Sequence, residues 1–214
     1  MQNTKILEMI NNGQIEELKG ILRDEIYQDI LKNKPGAKQR YSAMKKYFTY
    51  IKTSRVCCLK PSVIEFEGKN VTSFCNSYSL ALTSEPCGSI ELFTDSDGNY
   101  PNVGNLVRRE SDGVKIDICK AVAEAKSLGY KRTKKEVNGG DFMFHYNGAY
   151  FRAGLLEATY SIIDDGEKAT VYHGGRNVSP IVIENNIGLC LVLPVKCDMD
   201  FIKENEIKIV ELDD

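Results

Sequence analysis

A chain of 214 residues, 42% hydrophobic and 27% charged, has the makeup of a water-soluble globular protein, long enough for one medium domain or two small ones. Its formal net charge of -2 excludes an overall basic coat for nucleic acid, although a basic face on one side remains compatible with it. No apolar run is long enough to span a bilayer. The N-terminus MQNTKILEMI also lacks the basic and apolar regions of a secretory signal, so a cytoplasmic protein is expected.

Residues 4–32 carry helical periodicity, with Ile6, Leu7 and Ile10, then Ile15, Leu18, Ile21 and Leu22, then Ile26, Ile30 and Leu31. Asn12-Gly13 interrupts the pattern and Lys34-Pro35-Gly36 ends it, which predicts two helices in an N-terminal segment, 1–36. Its wide apolar stripes suit a cap on the rest of the chain, with a dimerisation element as the other use. A third helix is expected over Lys38–Lys52. Tyr41, Met44, Tyr47 and Phe48 would lie on its apolar face, and Lys38, Arg40, Lys45, Lys46 and Lys52 on the opposite side.

Beyond Pro61 the pattern changes to strands: Val63–Phe66, a hairpin-like turn at Glu67–Asn70, then Val71–Phe74, Ser79–Thr83 and Ile90–Phe93. A short strand over Val114–Asp117 precedes a helix at Ile118–Leu128, with Ile118, Val122, Ala125 and Leu128 inward and a basic end at Lys126, Lys131, Arg132, Lys134 and Lys135. The last third reads as a strand at Phe142–Tyr146, a helix at Ala149–Ile163 and strands at Ala169–His173, Ile181–Glu184 and Leu189–Val195. Two units of strand, helix and further strands give a weak internal symmetry. The expected class is α+β with antiparallel sheet, as a body over 37–197 and an acidic tail over 198–214.

Chemistry-bearing residues are sparse. Seven cysteines, odd in number and without a C-x-x-C, read as reduced thiols with neither a disulfide framework nor a metal site. His145 and His173 sit in β-like segments outside any nucleophile or metal motif. His173-Gly174-Gly175-Arg176 has the composition of a β-turn and also of an anion-binding loop. Phosphate-loop and dinucleotide fingerprints are absent, so the expectation is a non-enzymatic protein with no cofactor.

One stretch, CNSYSLAL at Cys75–Leu82, resembles the polar-turn-polar segment between two strands of the bacterial DNA polymerase III β sliding clamp family. Further segments resemble that family in the same order: MKKYFTYIKTSRVCCLKPSVIEFEG at Met44–Gly68, YPNVGNLVR at Tyr100–Arg108, and GLCLVLPV at the end of Ile181–Val195. The likeness covers residues 41–196 in pieces. Asn76-Ser77 and Ser79 stand where the family has Asp-Gly and an arginine, and the chain has the substance of about one of a clamp protomer's three domains.

The resemblance therefore implies a reduced, clamp-like α+β domain of phage or mobile-element type. Its hydrophobic peptide-binding cleft would be built from Leu59, Cys75, Ser77, Leu80, Pro101, Leu106, Leu191, Leu193, Pro194 and Val195. The partners implied are polymerases, clamp loaders and repair factors carrying short linear motifs. Duplex DNA would be contacted through Lys38, Arg40, Lys45, Lys46, Lys52, Lys126, Lys131, Arg132, Lys134 and Lys135, and homo-oligomerisation would be needed for any ring. The alternative is an anti-defence or regulatory protein that sequesters a host protein or a small anionic ligand, without a DNA role.

Overall fold

The computed structural model describes residues 2–51, 61–88, 90, 93–94, 101–133 and 141–213. Helices α1 (Gln2–Asn11) and α2 (Ile15–Asn33) break where expected, at Gly13, whose φ of 72° favours glycine. The chain then turns at Gly36 into α3 (Ala37–Ile51). Helix α2 lies on α3: the Tyr27 and Tyr41 rings are 4.5 Å apart, and the Tyr41 hydroxyl donates to Asp24 at 2.8 Å. Tyr41, Met44 and Tyr47 are buried, as their spacing predicts, whereas the side chain of Phe48 lies outside the described residues.

Strands β1 (Ser62–Phe66), β2 (Lys69–Cys75) and β3 (Ser79–Thr83) form an antiparallel meander. The first turn is Glu67-Gly68, both at positive φ, a conformation that fits the twist of a two-residue hairpin. A two-residue strand β4 (Phe93–Thr94) runs parallel to β1. Then come a single helical turn α4 (Val103–Leu106), strand β5 (Val114–Ile116) and helix α5 (Ile118–Ser127), capped by the Asp117 carboxylate on the Lys120 N–H. Ile118, Val122 and Ala125 of α5 are buried; Leu128, expected inward, is 46% exposed.

The hairpin β6 (Phe142–Tyr146) and β7 (Ala149–Arg152) leads into α6 (Ala153–Tyr160) and a second meander, β8 (Ala169–His173), β9 (Ile181–Glu184) and β10 (Gly188–Val192). The expected helix at Ala149–Ile163 is thus corrected in its first four positions, which are strand. Asn147-Gly148 at positive φ turns the chain back so that residues 149–152 pair with β6. Every residue of α6 is buried, consistent with its nearly continuous apolar sequence.

The main sheet has eight strands in the order β4-β1-β2-β3-β10-β9-β8-β5. Its two meanders, each preceded by a helix (α3 or α6), meet at the antiparallel seam of β3 with β10. These helix-plus-meander units differ from the strand–helix–strands units expected from the sequence; the protein is a mixed α and β chain with a large antiparallel sheet. Alternate residues of β3 serve two faces, as a pleated strand requires. Ala81 joins the main core, while Leu80 and Leu82 join a smaller cluster with Cys75, Val103, Val107, Val182, Leu189 and Leu191.

The expected polar tail also needs correction. Residues 199–204 form α7 (Met199–Glu204), and β11 (Lys208–Glu211) pairs in parallel with β6 in a second sheet, burying Val210 and Leu212. Residues 198–212 are therefore built into the fold. Among the described residues no helix is long and apolar enough to cross a membrane.

Candidate functional site

The loop between β2 and β3 is shaped from within by Asn76. Its side-chain oxygen accepts from the backbone N–H groups of Tyr78 (2.7 Å) and Ser79 (2.8 Å), and its amide donates to the Tyr47 hydroxyl (2.7 Å) and Ser79 Oγ (2.8 Å). Thr159 of α6 donates to the same Ser79 Oγ at 3.0 Å. Asn76 and Ser79 are buried parts of the scaffold, which leaves Ser77 and Tyr78 facing outward. The asparagine is needed here because one side chain must satisfy two backbone donors and two hydroxyls at once. Asn76→Ala should lower unfolding free energy by about 2 kcal/mol in urea titration, the cost of stranding those buried groups.

Beside this turn lies a cavity of about 670 Å³. Buried Cys75, Leu80 and Leu191 form its base, and exposed Tyr78, Leu106, Val178 and Leu193 its rim, with Pro101 and Pro180 completing the apolar lining. Four separate stretches supply these groups: the β2–β3 turn, the 101–110 connection, the β8–β9 loop and the end of β10 with Leu193. Asn102 caps α4 through its side chain on the Asn105 N–H, which sets Leu106 at the rim. Arg109 fastens the connection to the sheet by pairing with Glu67 (2.6 Å) and Glu184 (2.8 Å).

Seven of the residues expected in a cleft, Cys75, Ser77, Leu80, Pro101, Leu106, Leu191 and Leu193, line this one cavity. Pro194 and Val195 do not. After Leu193 N–H donates to the Tyr78 carbonyl, the chain turns away and Val195 bridges to Tyr150 at the edge of β7. Leu59 lies outside the described residues.

Sequence reasoning did not join the β8–β9 loop to this site, because its partners are distant in the chain. Gly174, Arg176, Val178, Ser179 and Pro180 all line the cavity, together with Arg108 and Glu110. His173 holds the loop from beneath: Nε2 donates to the Ser179 carbonyl (3.1 Å) and Nδ1 accepts from the Gly175 N–H (3.2 Å). Burial holds its imidazole pKa below the ordinary value, consistent with the neutral tautomer that these two bonds need. Arg108 and Glu110 approach only to 3.9 Å and are solvent-accessible, a weak pair.

The expected basic faces fare differently. Arg40 is corrected: its guanidinium is 1% exposed, makes two bonds to Glu85 (2.7 and 2.8 Å), and donates to the carbonyls of Asp164 and Pro35. A group so enclosed presents no face to a phosphate. Lys126 and Arg132 turn towards Glu157 of α6, at 3.1 and 3.8 Å, where the Tyr130 hydroxyl also donates at 2.8 Å. That buried carboxylate requires them as compensation. Lys38 and Lys46 border a second cavity, of about 750 Å³, with Arg132, Asp164 and Asp165, and Lys45 stands 4.2 Å from the Tyr41 ring centre. Lys131 is exposed, whereas Lys52, Lys134 and Lys135 lie outside the described residues.

No family model matches the chain, and no curated protein or solved structure does. The site must therefore be read from its own chemistry. No group of three or more potential metal ligands occurs among the described residues. Of the other chemistry-bearing groups, His145 pairs with Glu211 at 2.6 Å, and Cys75, Cys87, Cys119, Cys190 and Cys197 form no disulfide among the described residues. An apolar base, a proline-stiffened rim and polar groups at one margin suit an elongated ligand with apolar anchors.

Proposed function

We propose that this protein is a reduced clamp-like module whose cavity beside the β2–β3 turn binds a short linear peptide of a replication or repair protein. The observation that carries the reading is the convergence of three segments, Cys75–Leu82, Pro101–Arg108 and the end of β10, on one apolar cavity. Those are the segments whose sequence resembles the clamp family. The two helix-plus-meander units sharing one sheet are compatible with a clamp-like domain. An extended peptide would place leucine or phenylalanine anchors on Leu80 and Leu191 and lie between Leu106 and Leu193. Duplex DNA is a secondary contact, through Lys38, Lys45, Lys46, Lys126 and Lys131 among the described residues of the expected basic faces, since Arg40 is buried against Glu85 and Arg132 is mostly buried beside Glu157.

Fluorescence anisotropy with a labelled clamp-motif peptide tests this. The expected dissociation constant is on the order of micromolar, and Leu106→Asp or Leu193→Asp should weaken it at least about tenfold, the cost of placing a charge against the anchors. Both side chains are partly exposed, 44% and 39%, so the variants should fold. Leu80 is a poor choice, being 1% exposed and packed in the seam.

A second reading, sequestration of a small anionic ligand or a host protein without a DNA role, is favoured by one specific feature. Arg108 and Arg176 stand with the Gly174-Gly175 loop at the margin of the same cavity. Competition of labelled peptide by nucleotides, with loss of competition in Arg176→Ala, would move the assignment to this reading.

A further inference from the structure

Helix α2 has two unlike sides. On one, Tyr27 is buried and Asp24 accepts from Tyr41, which seats the helix on α3. The opposite side carries Ile15, Lys19, Leu22, Ile26, Asp29 and Asn33 at helical spacing. Three of these are large apolar groups left in solvent: Ile15 is 43% exposed, Leu22 39% and Ile26 64%. Leu22 and Ile26, one turn apart, are neighbours on this face, and Ile15 lies two turns before Leu22.

The order of residues along this face is self-complementary. Turning a second copy about a two-fold axis level with Asp24 makes the helices antiparallel. That operation brings Leu22 level with the partner copy's Ile26, and Lys19 level with its Asp29, so apolar meets apolar and cation meets carboxylate. Both relations occur twice by symmetry, as an isologous contact demands. A shallow groove of about 440 Å³, lined by Ile26, Asp29, Ile30, Asn33 and Lys34, lies where the second copy's Leu22 and Lys19 would arrive. The charges involved are held only loosely within the chain. Lys19 pairs with Glu16 at 2.6 Å and Asp29 with Lys32 at 3.2 Å, but all four side chains are more than half exposed, and such pairs hold little energy.

We propose that the outer face of α2 is a homodimer interface, in which two copies pair antiparallel through Leu22 and Ile26 and are registered by Lys19 and Asp29. The occupant is a second copy of this chain, because the centre of the face, from Lys19 to Asp29, matches itself in both polarity and charge, while Ile15 and Asn33 fall level with each other at its two ends. A seam of two short helices is smaller than the roughly 1,600 Å² of a standard interface, so association in the micromolar range is expected. The dimer would carry two copies of the cavity beside the β2–β3 turn, and a partner with two motifs would gain from effective concentration.

Sedimentation velocity on the full chain over a concentration series tests the assignment. Wild type should pass from monomer to dimer, and Ile26→Glu should weaken dimerisation at least about tenfold while leaving circular dichroism unchanged. Lys19→Asp and Asp29→Lys should each weaken it, and the double variant should return to within about threefold of wild type. That rescue separates the interface from helix stability. The swap restores the intermolecular pair, yet within each helix it sets a carboxylate beside Glu16 and an ammonium beside Lys32. A wild type that stays monomeric at every concentration, a dimer indifferent to Ile26→Glu, or a double variant that is not rescued would each overturn the proposal.

Discussion

Arg40→Ala should lower the free energy of unfolding by about 3–5 kcal/mol. The cause is what it leaves behind. Glu85 is 5% exposed, and removal of the guanidinium strands a buried carboxylate whose two oxygens each had a donor at 2.7–2.8 Å. The same side chain ties α3 to the Asp164 and Pro35 carbonyls, so its loss also releases the joint between the N-terminal helices and the sheet. For a chain of this size the melting temperature should fall on the order of 10 °C. Replacing both partners by apolar groups, Arg40→Met with Glu85→Leu, should recover most of the loss, because an ion pair's desolvation roughly offsets its attraction. Calorimetric melting of the two variants against wild type checks both statements.

Gly188→Ala should cost about 3 kcal/mol or more, an overpacking effect at the upper end of its range. Gly188 opens β10 opposite Thr83 of β3, and a Cβ there would run into the Leu82 carbonyl oxygen. Backbone cannot move aside as a flexible side chain does. The strands must therefore separate at the seam on which the two meanders meet, and Leu80 and Leu191, paired across that seam, would shift with them. Urea titration should show the loss, and peptide affinity should fall with it. A Gly188→Ala protein of wild-type stability would mean that the seam is looser than these contacts imply.

Much of the fold is legible in the sequence where the signal is local. Ser79–Thr83, Phe142–Tyr146, Ala169–His173 and Ile181–Glu184 are strands with the expected bounds, because each is a short apolar run closed by turn residues. Residues 149–152 misled because Phe151 and Leu155 share a helical spacing, while the stronger signal was the Asn147-Gly148 pair between two apolar runs. Strand β11 could not be read locally. Its four residues become strand through parallel pairing with β6, some sixty positions earlier. The site divides in the same way. The apolar lining lies in short segments that carry the resemblance, whereas Arg40 reads as a surface cation because nothing near it in sequence announces Glu85. The β8–β9 loop joined the cavity only through sheet order, which places β9 beside β10.

The most direct test of the central claim, that the cavity beside the β2–β3 turn is a peptide-binding cleft, is an NMR titration of isotope-labelled protein with a clamp-motif peptide. Binding there predicts saturable shifts centred on Ser77, Tyr78, Leu106, Val178 and Leu193, with Lys38 and Lys46 unmoved. Absence of shifts at millimolar peptide, or saturable shifts confined to another surface, would contradict it.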